Sequence, residues 1–308
     1  MTIYPPVITD QLTEPTSIAL AQQIQRREIV TPLAQTPIAT TFVQQGQGGA
    51  PILLLHGFDS SVFEFRRLLP QLANHQETWA VDLLGFGFTD RPSQLTISPE
   101  AIKTHLYAFW KALIGKPVIL VGASMGGAAA IDLALAYPEI VQQLVLIDSA
   151  GFTVGPAIGK FLIPPLGYLA TAFLRNPKVR QSISLKAYYD ASYASLDAQR
   201  CAALHLDHPN WQQALISFTK SGGYSSFRHR LASLQQPTLI LWGDCDRILG
   251  TKDASQFAHA IPNSQLVWIN NCGHVPHLEC PQLTAEQILR FIASGSHSEP
   301  QTVPLELQ

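Results

Sequence analysis

The sequence predicts an α/β fold in which helices cover both faces of an open, mainly parallel sheet. Short apolar runs alternate with stretches of helical periodicity across residues 38–150, and the same alternation returns across residues 234–293. Residues 51–55 are continuously apolar, which indicates a strand buried on both faces. Between these two parts, residues 151–233 show helical spacings without a convincing strand, so they are expected to form a helical insertion.

Within the two core segments, individual strands and helices can be predicted from periodicity and turn residues. The predicted strands are 38–43, 51–55, 78–82, 118–121, 141–147, 238–242 and 265–269. Ser98 and Pro99 are typical of the start of a helix. The patterns Ser61-x-x-Glu64 and Thr284-x-x-Gln287 resemble capping boxes, which predict helices running to about residues 72 and 293.

The two ends of the chain lie outside the predicted core. Residues 1–37 are interpreted as an N-terminal arm followed by a short amphipathic helix over residues 17–27, which packs on the body or touches a membrane surface. The apolar residues at helical spacing are Ile18, Ala21 and Ile24. Residues 294–308 are polar and are expected to form a frayed tail.

Composition excludes several classes of function. The 308-residue chain has a formal net charge of -2, so no basic excess is present for binding nucleic acid. Charged residues make up 14% and hydrophobic residues 46%, which favours some apolar surface facing a ligand or lipid. No apolar run is long enough to span a membrane.

Cysteine usage and the N-terminal residues favour a reducing, cytoplasmic location. The four cysteines, Cys201, Cys245, Cys272 and Cys280, show no paired framework, and no basic segment followed by an apolar one is present at the start. Cys272, His274 and Cys280 do not have the spacing of a zinc site, so no metal ligand is predicted.

The most informative stretch is residues 118–130, where an apolar strand meets a helix-forming run. Ser124 lies at the turn, with Gly122 and Gly126 on either side of it. Small residues at these positions permit a sharp bend that lifts the serine hydroxyl above the sheet edge. The same bend directs the N–H of Met125 at the helix N-terminus toward that space.

A serine hydroxyl needs a neighbouring base, and the base needs a group that orients it. His274 follows Gly273 after the last predicted strand, and Asp246 follows the strand before it. Three alternatives remain open from the residues alone. Asp244 and Asp148 are alternative acids, and His277 is an alternative base; Ser149 has no flanking glycines of the elbow type.

These elements together resemble the α/β-hydrolase superfamily. The resemblance covers about residues 38–293 and rests on His56-Gly57, Gly122-x-Ser124-x-Gly126, Trp242-Gly243-x-x-Asp246 and Gly273-His274, in that order. It points to the branch of serine esterases and C–C bond hydrolases. Within that branch, residues 56–61 and 79–90 are similar to the corresponding segments of cyanobacterial and plant-plastid members.

The resemblance implies a role for each residue. Ser124 would be the nucleophile, His274 the general base and Asp246 its orienting acid. Phe58 and Met125 would donate backbone N–H groups to an oxyanion, and His56 and Gly57 would support the loop that carries Phe58. Leu249 replaces a proline that many relatives have after the acid.

The resemblance further implies that residues 151–233 form a lid and that no cofactor is needed. A carboxylic ester, in particular a lipophilic one, is the expected substrate, and a C–C hydrolase or a non-enzymatic ligand sensor is the alternative. The apolar lid residues that could contact it are Phe161, Leu162, Ile163, Leu166, Tyr168, Leu169, Phe173, Leu174, Tyr188 and Tyr189. Peripheral membrane contact and the oligomeric state stay open.

Overall fold

A computed structural model describes residues 10–153 and 166–295 of the chain. The strands are β1 Gln25–Ile29, β2 Ile38–Gln45, β3 Ile52–Leu55, β4 Thr78–Val81, β5 Val118–Ala123, β6 Val141–Ile147, β7 Thr238–Gly243 and β8 Ser264–Ile269. The helices are α1 Pro15–Gln22, α2 Leu69–Ala73, α3 Pro99–Leu113, α4 Met125–Ala136, α5 Leu166–Arg175, α6 Pro177–Ala187, α7 Leu196–Ala203, α8 Trp211–Lys220, α9 Lys252–Ala260, α10 Pro276–Glu279 and α11 Pro281–Gly295.

The strands form one eight-stranded sheet in the order β1-β2-β4-β3-β5-β6-β7-β8. Strands β4, β3, β5, β6, β7 and β8 run parallel to one another, whereas β2 pairs with β4, and β1 with β2, in antiparallel fashion. The predicted α/β fold with a mainly parallel sheet is therefore confirmed. Because the six parallel strands point the same way, the loops after their carboxyl ends share one edge of the sheet.

Apolar layers cover both faces of the sheet, as the continuous apolar strands predict. In β5, Val118 and Leu120 pack into one layer, and Ile119 and Val121 pack into the other. Successive side chains of a strand point to opposite faces, so a strand without polar residues must be covered twice. This packing fixes the carboxyl end of β5, where Ser124 follows.

The helix predicted over residues 17–27 is wrong in its second half. Helix α1 ends at Gln22, and Gln25–Ile29 is an edge strand whose Ile29 pairs with Ile38 of β2. Arg26 extends from this strand to form an ion pair with Asp90. Strand pairing with β2 thus overrides the weak helical periodicity of this segment.

Both predicted capping boxes are also wrong. Ser61 does not cap with its side chain, and a short 3-10 turn at Val62–Phe65 precedes α2, because Pro70 cannot continue a helix begun earlier. Thr284 lies inside α11, where its hydroxyl donates to the carbonyl of Cys280 at 2.8 Å. The predicted cap at Ser98 is present, because its side chain accepts from the Ala101 N–H at 3.2 Å.

The described part of residues 151–233 contains helices α5 to α8 and no strand. We refer to residues 151–233 as the insertion; it lies between β6 and β7. The predicted apolar residues Phe161, Leu162 and Ile163 lie outside the described residues, as do the first nine residues of the arm and residues 296–308 of the tail. No helix within the described ranges is long and apolar enough to cross a bilayer.

Candidate active site

Ser124 occupies a strained turn between β5 and α4. Its backbone has φ 51 and ψ -118, a combination that side-chain-bearing residues rarely adopt. The turn is held because the Ser124 N–H donates to Ile147 O at 2.9 Å, while its carbonyl accepts from Gly127 N at 3.0 Å and Ala150 N at 2.9 Å. The structure therefore places Ser124 at the carboxyl edge of the sheet, as predicted.

The two glycines beside Ser124 are required by close backbone packing. A Cβ on Gly122 would lie 2.3 Å from the carbonyl oxygen of Gly126, and a Cβ on Gly126 would lie 2.0 Å from that of Leu55. Such distances are far inside van der Waals contact, so no other residue fits without moving the strand–helix junction. The glycine pattern that suggested the turn thus has a direct steric cause.

His274 and Asp246 are hydrogen-bonded to each other. His274 Nδ1 lies 2.9 Å from Asp246 Oδ2, and Asp246 Oδ1 accepts from the N–H groups of Ile248 at 2.7 Å and Leu249 at 3.1 Å. Burial alone would raise the pKa of Asp246, but the hydrogen bond and charge of His274 and these two N–H groups lower it. Leu249 supplies a donor here that a proline could not supply.

Ser124 and His274 line the same cavity, whose volume is about 530 Å³. The cavity lies between the core and the insertion, and its walls are mostly apolar. Apolar lining residues from the core include Phe58, Phe63 and Val275, and those from the insertion include Leu174, Ile183, Tyr188 and Leu206. Of the apolar insertion residues singled out in the sequence, Leu174 and Tyr188 line the cavity, whereas Leu166, Leu169 and Phe173 are exposed.

The alternative acids lie in different environments. Asp148 is fully buried, and its carboxylate clusters with the Asp246 carboxylate and the His274 ring. One oxygen of each carboxylate and one ring nitrogen of His274 lie within 4.8 Å of one another. Burial and the adjacent Asp246 raise the pKa of Asp148 well above its ordinary value, which favours its neutral form. Asp244 is exposed, and its carboxylate accepts from the Cys272 N–H at 3.3 Å.

The alternative base and nucleophile also have other partners. His277 is buried, lines the cavity and lies 3.3 Å from a carboxylate oxygen of Glu64. The Ser149 hydroxyl donates to the carbonyl of Ala150 at 2.8 Å and is buried beneath α4. His277 is thus paired with Glu64 and Ser149 with Ala150, whereas His274 is paired with Asp246.

The loop from His56 to Ser60 is fixed from the core side by two side chains. His56 Nδ1 donates to the carbonyl of Gly57 at 2.8 Å, and His56 Nε2 accepts from the Leu83 N–H at 3.1 Å. Burial lowers the pKa of His56 to about 4, so the ring is neutral, and one ring nitrogen donates a hydrogen bond while the other accepts one. The Gly57 N–H donates to both carboxylate oxygens of Glu64, at 3.0 and 3.1 Å.

These contacts orient the Phe58 N–H. The Gly57 carbonyl and the Phe58 N–H belong to one planar trans peptide, so the hydrogen bond from His56 also fixes the direction in which that N–H points. Met125 is the first residue of α4, and the first N–H groups of a helix have no partner inside the helix. Phe58 and Met125 both flank the cavity wall that carries Ser124.

Sequence reasoning missed two carboxylates in this region. Glu64 was interpreted as part of a capping box, but it holds Gly57 instead, and Asp59 was not singled out although it follows Phe58 directly. Burial opposes ionisation of Glu64, yet His277 and His56 lower its pKa to about 2. A charged residue in the otherwise apolar run 62–65 was the available signal for Glu64, whereas Asp59 is followed by two serines and carried no such signal.

Comparison with known proteins identifies the family. The sequence model of the alpha/beta hydrolase fold matches residues 50–281. The chain is an α/β hydrolase. The matched range includes Ser124, Asp246 and His274, and the predicted resemblance to this superfamily is thereby confirmed.

Relatives of this α/β hydrolase differ in their activities. The alpha/beta hydrolase domain-containing protein VTE7 of Arabidopsis thaliana is 31% identical over 293 residues, covering 92% of this chain and 88% of that protein. The 2-hydroxy-6-oxo-2,4-heptadienoate hydrolase of Pseudomonas putida is 29% identical over 240 residues, covering 75% of this chain and 84% of that protein. A thermophilic esterase from Thermogutta terrifontis has the same fold, with a TM-score of 0.76 at 23% identity over 88% of this chain and 99% of that one.

Proposed function

We propose that this α/β hydrolase is a serine hydrolase that cleaves a carboxylic ester through an acyl-enzyme on Ser124. The observation that carries the proposal is that Ser124, on its strained turn, and His274, hydrogen-bonded to Asp246, line one apolar cavity. A nucleophile, a base and an orienting acid near one another are the components that acyl transfer needs.

In the first half of the reaction, Ser124 Oγ attacks the ester carbonyl and its proton passes to His274 Nε2. The C–O bond to the alcohol then breaks, and the alcohol leaves with the proton from His274. Asp246 accepts the Nδ1–H of His274 and stabilises the imidazolium that forms in between.

In the second half, water attacks the acyl carbon and gives one proton to His274. The bond to Ser124 Oγ breaks, the acid leaves, and the proton returns to Ser124. In both halves the carbonyl oxygen becomes negative, and we assign its stabilisation to the N–H groups of Phe58 and Met125. Loss of one such donor costs about 3 kcal/mol in comparable enzymes.

The cavity favours a lipophilic substrate. Its volume of about 530 Å³ and mostly apolar walls suit an acyl chain or another apolar group, which gains about 25 cal/mol for each Å² of apolar surface removed from water. We propose that the insertion acts as the lid over this cavity, because it supplies one of the cavity walls.

The outer face of the insertion favours contact with a lipid surface. Leu166, Leu169 and Phe173 lie on one stripe of α5 and are 52%, 62% and 64% exposed. Of the four basic residues in 166–187, Arg175 and Arg180 are paired with Asp207 and Asp59. Lys178 and Lys186 are exposed on α6, and this range contains no acidic residue, so the two lysines complement an anionic membrane.

A C–C bond hydrolase is the second candidate. The Pseudomonas putida relative acts, by its name, on a dienoate with a keto group, and the same three residues could serve that chemistry. A substrate of that class carries a carboxylate, for which the buried Arg66 in the cavity lining is a suitable partner, but the larger part of the cavity surface is apolar. We therefore rank the ester first.

The test is covalent labelling followed by a substrate panel. Wild-type protein should be labelled by a fluorophosphonate, and Ser124→Ala should abolish labelling and lower hydrolysis of nitrophenyl esters by several orders of magnitude. Turnover should increase from acetate to longer acyl chains if the cavity binds the chain.

Two results would contradict parts of this proposal. Turnover of 2-hydroxy-6-oxo dienoates with no esterase activity would favour the C–C hydrolase. Slow single turnover with tightly retained product would favour a ligand sensor over an enzyme.

A further inference from the structure

Asp59 connects the loop that carries Phe58 to the insertion. Its carboxylate is 9% exposed and accepts three hydrogen bonds. Arg180 Nη1 lies 2.7 Å from Oδ2, while His205 Nε2 and Trp211 Nε1 lie 2.9 and 2.8 Å from Oδ1. A buried carboxylate with three donors is a rigid connection.

All three donors belong to the insertion but to different parts of it. Arg180 is in α6, His205 is in the 3-10 turn Leu204–Asp207, and Trp211 begins α8. Arg180 also donates through Nη2 to the carbonyl of Ala202 at the end of α7. The position of Asp59 therefore depends on how α6, the 3-10 turn and the start of α8 pack against the core.

The backbone of Asp59 is in the left-handed region, with φ 49. Few residues other than glycine, asparagine and aspartate adopt this conformation readily, and its cost must be offset by contacts. Burial opposes the charge, but His205 and Arg180 lower the pKa of Asp59 to about 2. The carboxylate is thus ionised at neutral pH and holds the strained backbone in place.

Phe58 consequently lies between one residue that is fixed by the core and one that is fixed by the insertion. On one side, Gly57 is held by His56 and Glu64 of the core; on the other, Asp59 is held by the insertion. The Phe58 ring itself packs near Phe218 of α8, with ring centroids 6.1 Å apart. Moving the insertion outward would pull on Asp59 and Phe58 while Gly57 stayed fixed.

We infer that Asp59 is a positioning residue that places the Phe58 N–H correctly only when the insertion is seated on the core. The inference rests on the proposed function, in which this N–H stabilises the oxyanion. It means that the donor is assembled together with the cavity, so that an open insertion leaves Ser124 with an incomplete site.

The test compares kcat and KM of three variants on a short nitrophenyl ester. Asp59→Asn removes the charge, and Trp211→Phe removes one donor while keeping a ring. Lys220→Gln is the control, because Lys220 is exposed on the same helix as Trp211. We expect kcat to fall at least tenfold for Asp59→Asn and about threefold for Trp211→Phe, with KM changed less than threefold, and no change for Lys220→Gln.

The double variant Asp59→Asn with Trp211→Phe separates positioning from general loss of structure. Since both changes break the same connection, its kcat should be close to that of Asp59→Asn alone. If Asp59→Asn does not fold, Trp211→Phe and His205→Gln are compared instead, and both should lower kcat at equal concentration of folded protein, measured by circular dichroism at the assay temperature.

Unchanged kcat in the folded variants, or an effect confined to KM, would overturn the inference while leaving the proposed function intact. By contrast, wild-type hydrolysis that does not depend on Ser124 would remove the proposed function, and the inference would fall with it. The Ser124→Ala variant, assayed in parallel, distinguishes these two failures.

Discussion

The two walls of the cavity are built in different ways. On the core wall, Ser124 follows a fully buried strand, and the neighbouring Gly126 packs so closely that a Cβ would meet the Leu55 carbonyl at 2.0 Å. On the insertion wall, helix α6 has no buried residue, and α5 buries only Gly167 and Thr171. Ser124 is thus held by closely packed backbone, whereas α5 and α6 of the opposite wall are lightly packed helices.

The largest expected effect concerns the two buried carboxyls of the core wall. Asp246→Asn should lower kcat by about 10⁴, because an amide no longer selects the His274 tautomer or stabilises its cation. Asp148→Asn should lower kcat less than tenfold, since burial and Asp246 already favour the neutral form of Asp148 and the amide keeps a similar shape. Steady-state ester kinetics at neutral pH measure both.

Circular dichroism and thermal unfolding of both variants serve as the control for this pair. A larger loss for Asp148→Asn than for Asp246→Asn in folded protein would reverse the assignment of the acid. That result would make Asp148 the group that orients His274.

The next largest effect comes from adding one methyl group to each wall. Gly126→Ala should destabilise the fold by several kcal/mol or abolish activity, because the new Cβ meets backbone atoms of Leu55 and His56 at 2.0 and 2.6 Å. Gly167→Ala in α5 meets only the end of the Ile216 side chain at 3.3 Å, and alanine is the better helix former by about 1 kcal/mol. Urea unfolding of the two variants measures the difference, and equal destabilisation would contradict the contrast between the walls.

The same contrast explains which features could be predicted from sequence. Ser124 with its two glycines, and His274 after Gly273, are local patterns whose meaning depends on a few adjacent residues. The parallel sheet itself follows from continuous apolar strands. These features were predictable because backbone geometry dictates residue type at each position.

The remaining features depend on contacts distant in sequence. Asp59 meets Arg180 and Trp211, which are 121 and 152 residues away, and no local spacing announces such a contact. Glu64 fits a capping pattern as well as it fits its actual role at Gly57, so the local pattern was misleading. The strand Gln25–Ile29 likewise exists because of its partner β2.

A third expected effect concerns acid sensitivity of the core wall. The pKa of Glu64 is about 2 in the folded protein and near 4.5 ordinarily, so its ionised form stabilises the fold above pH 4.5, and this contribution is lost as the pH falls toward 2. Glu64→Gln should therefore be less stable by about 3 kcal/mol at pH 7, and the difference should shrink toward zero at pH 2. A pH-independent difference in urea unfolding would show that packing, and not charge, is responsible.

The smallest effect on the isolated protein is expected on the insertion wall. Leu169→Ser combined with Phe173→Ser should change the unfolding free energy by less than about 1 kcal/mol, because both side chains are largely exposed. If this surface contacts lipid, binding to anionic vesicles should fall about tenfold, while hydrolysis of a soluble short-chain ester stays the same. Val30→Ser, at a position that is 77% exposed outside the insertion, is the matched control in a vesicle sedimentation assay. Equal vesicle binding by all three proteins would mean that the exposed stripe of α5 has no part in lipid contact, and the insertion would then differ from the core wall in packing alone.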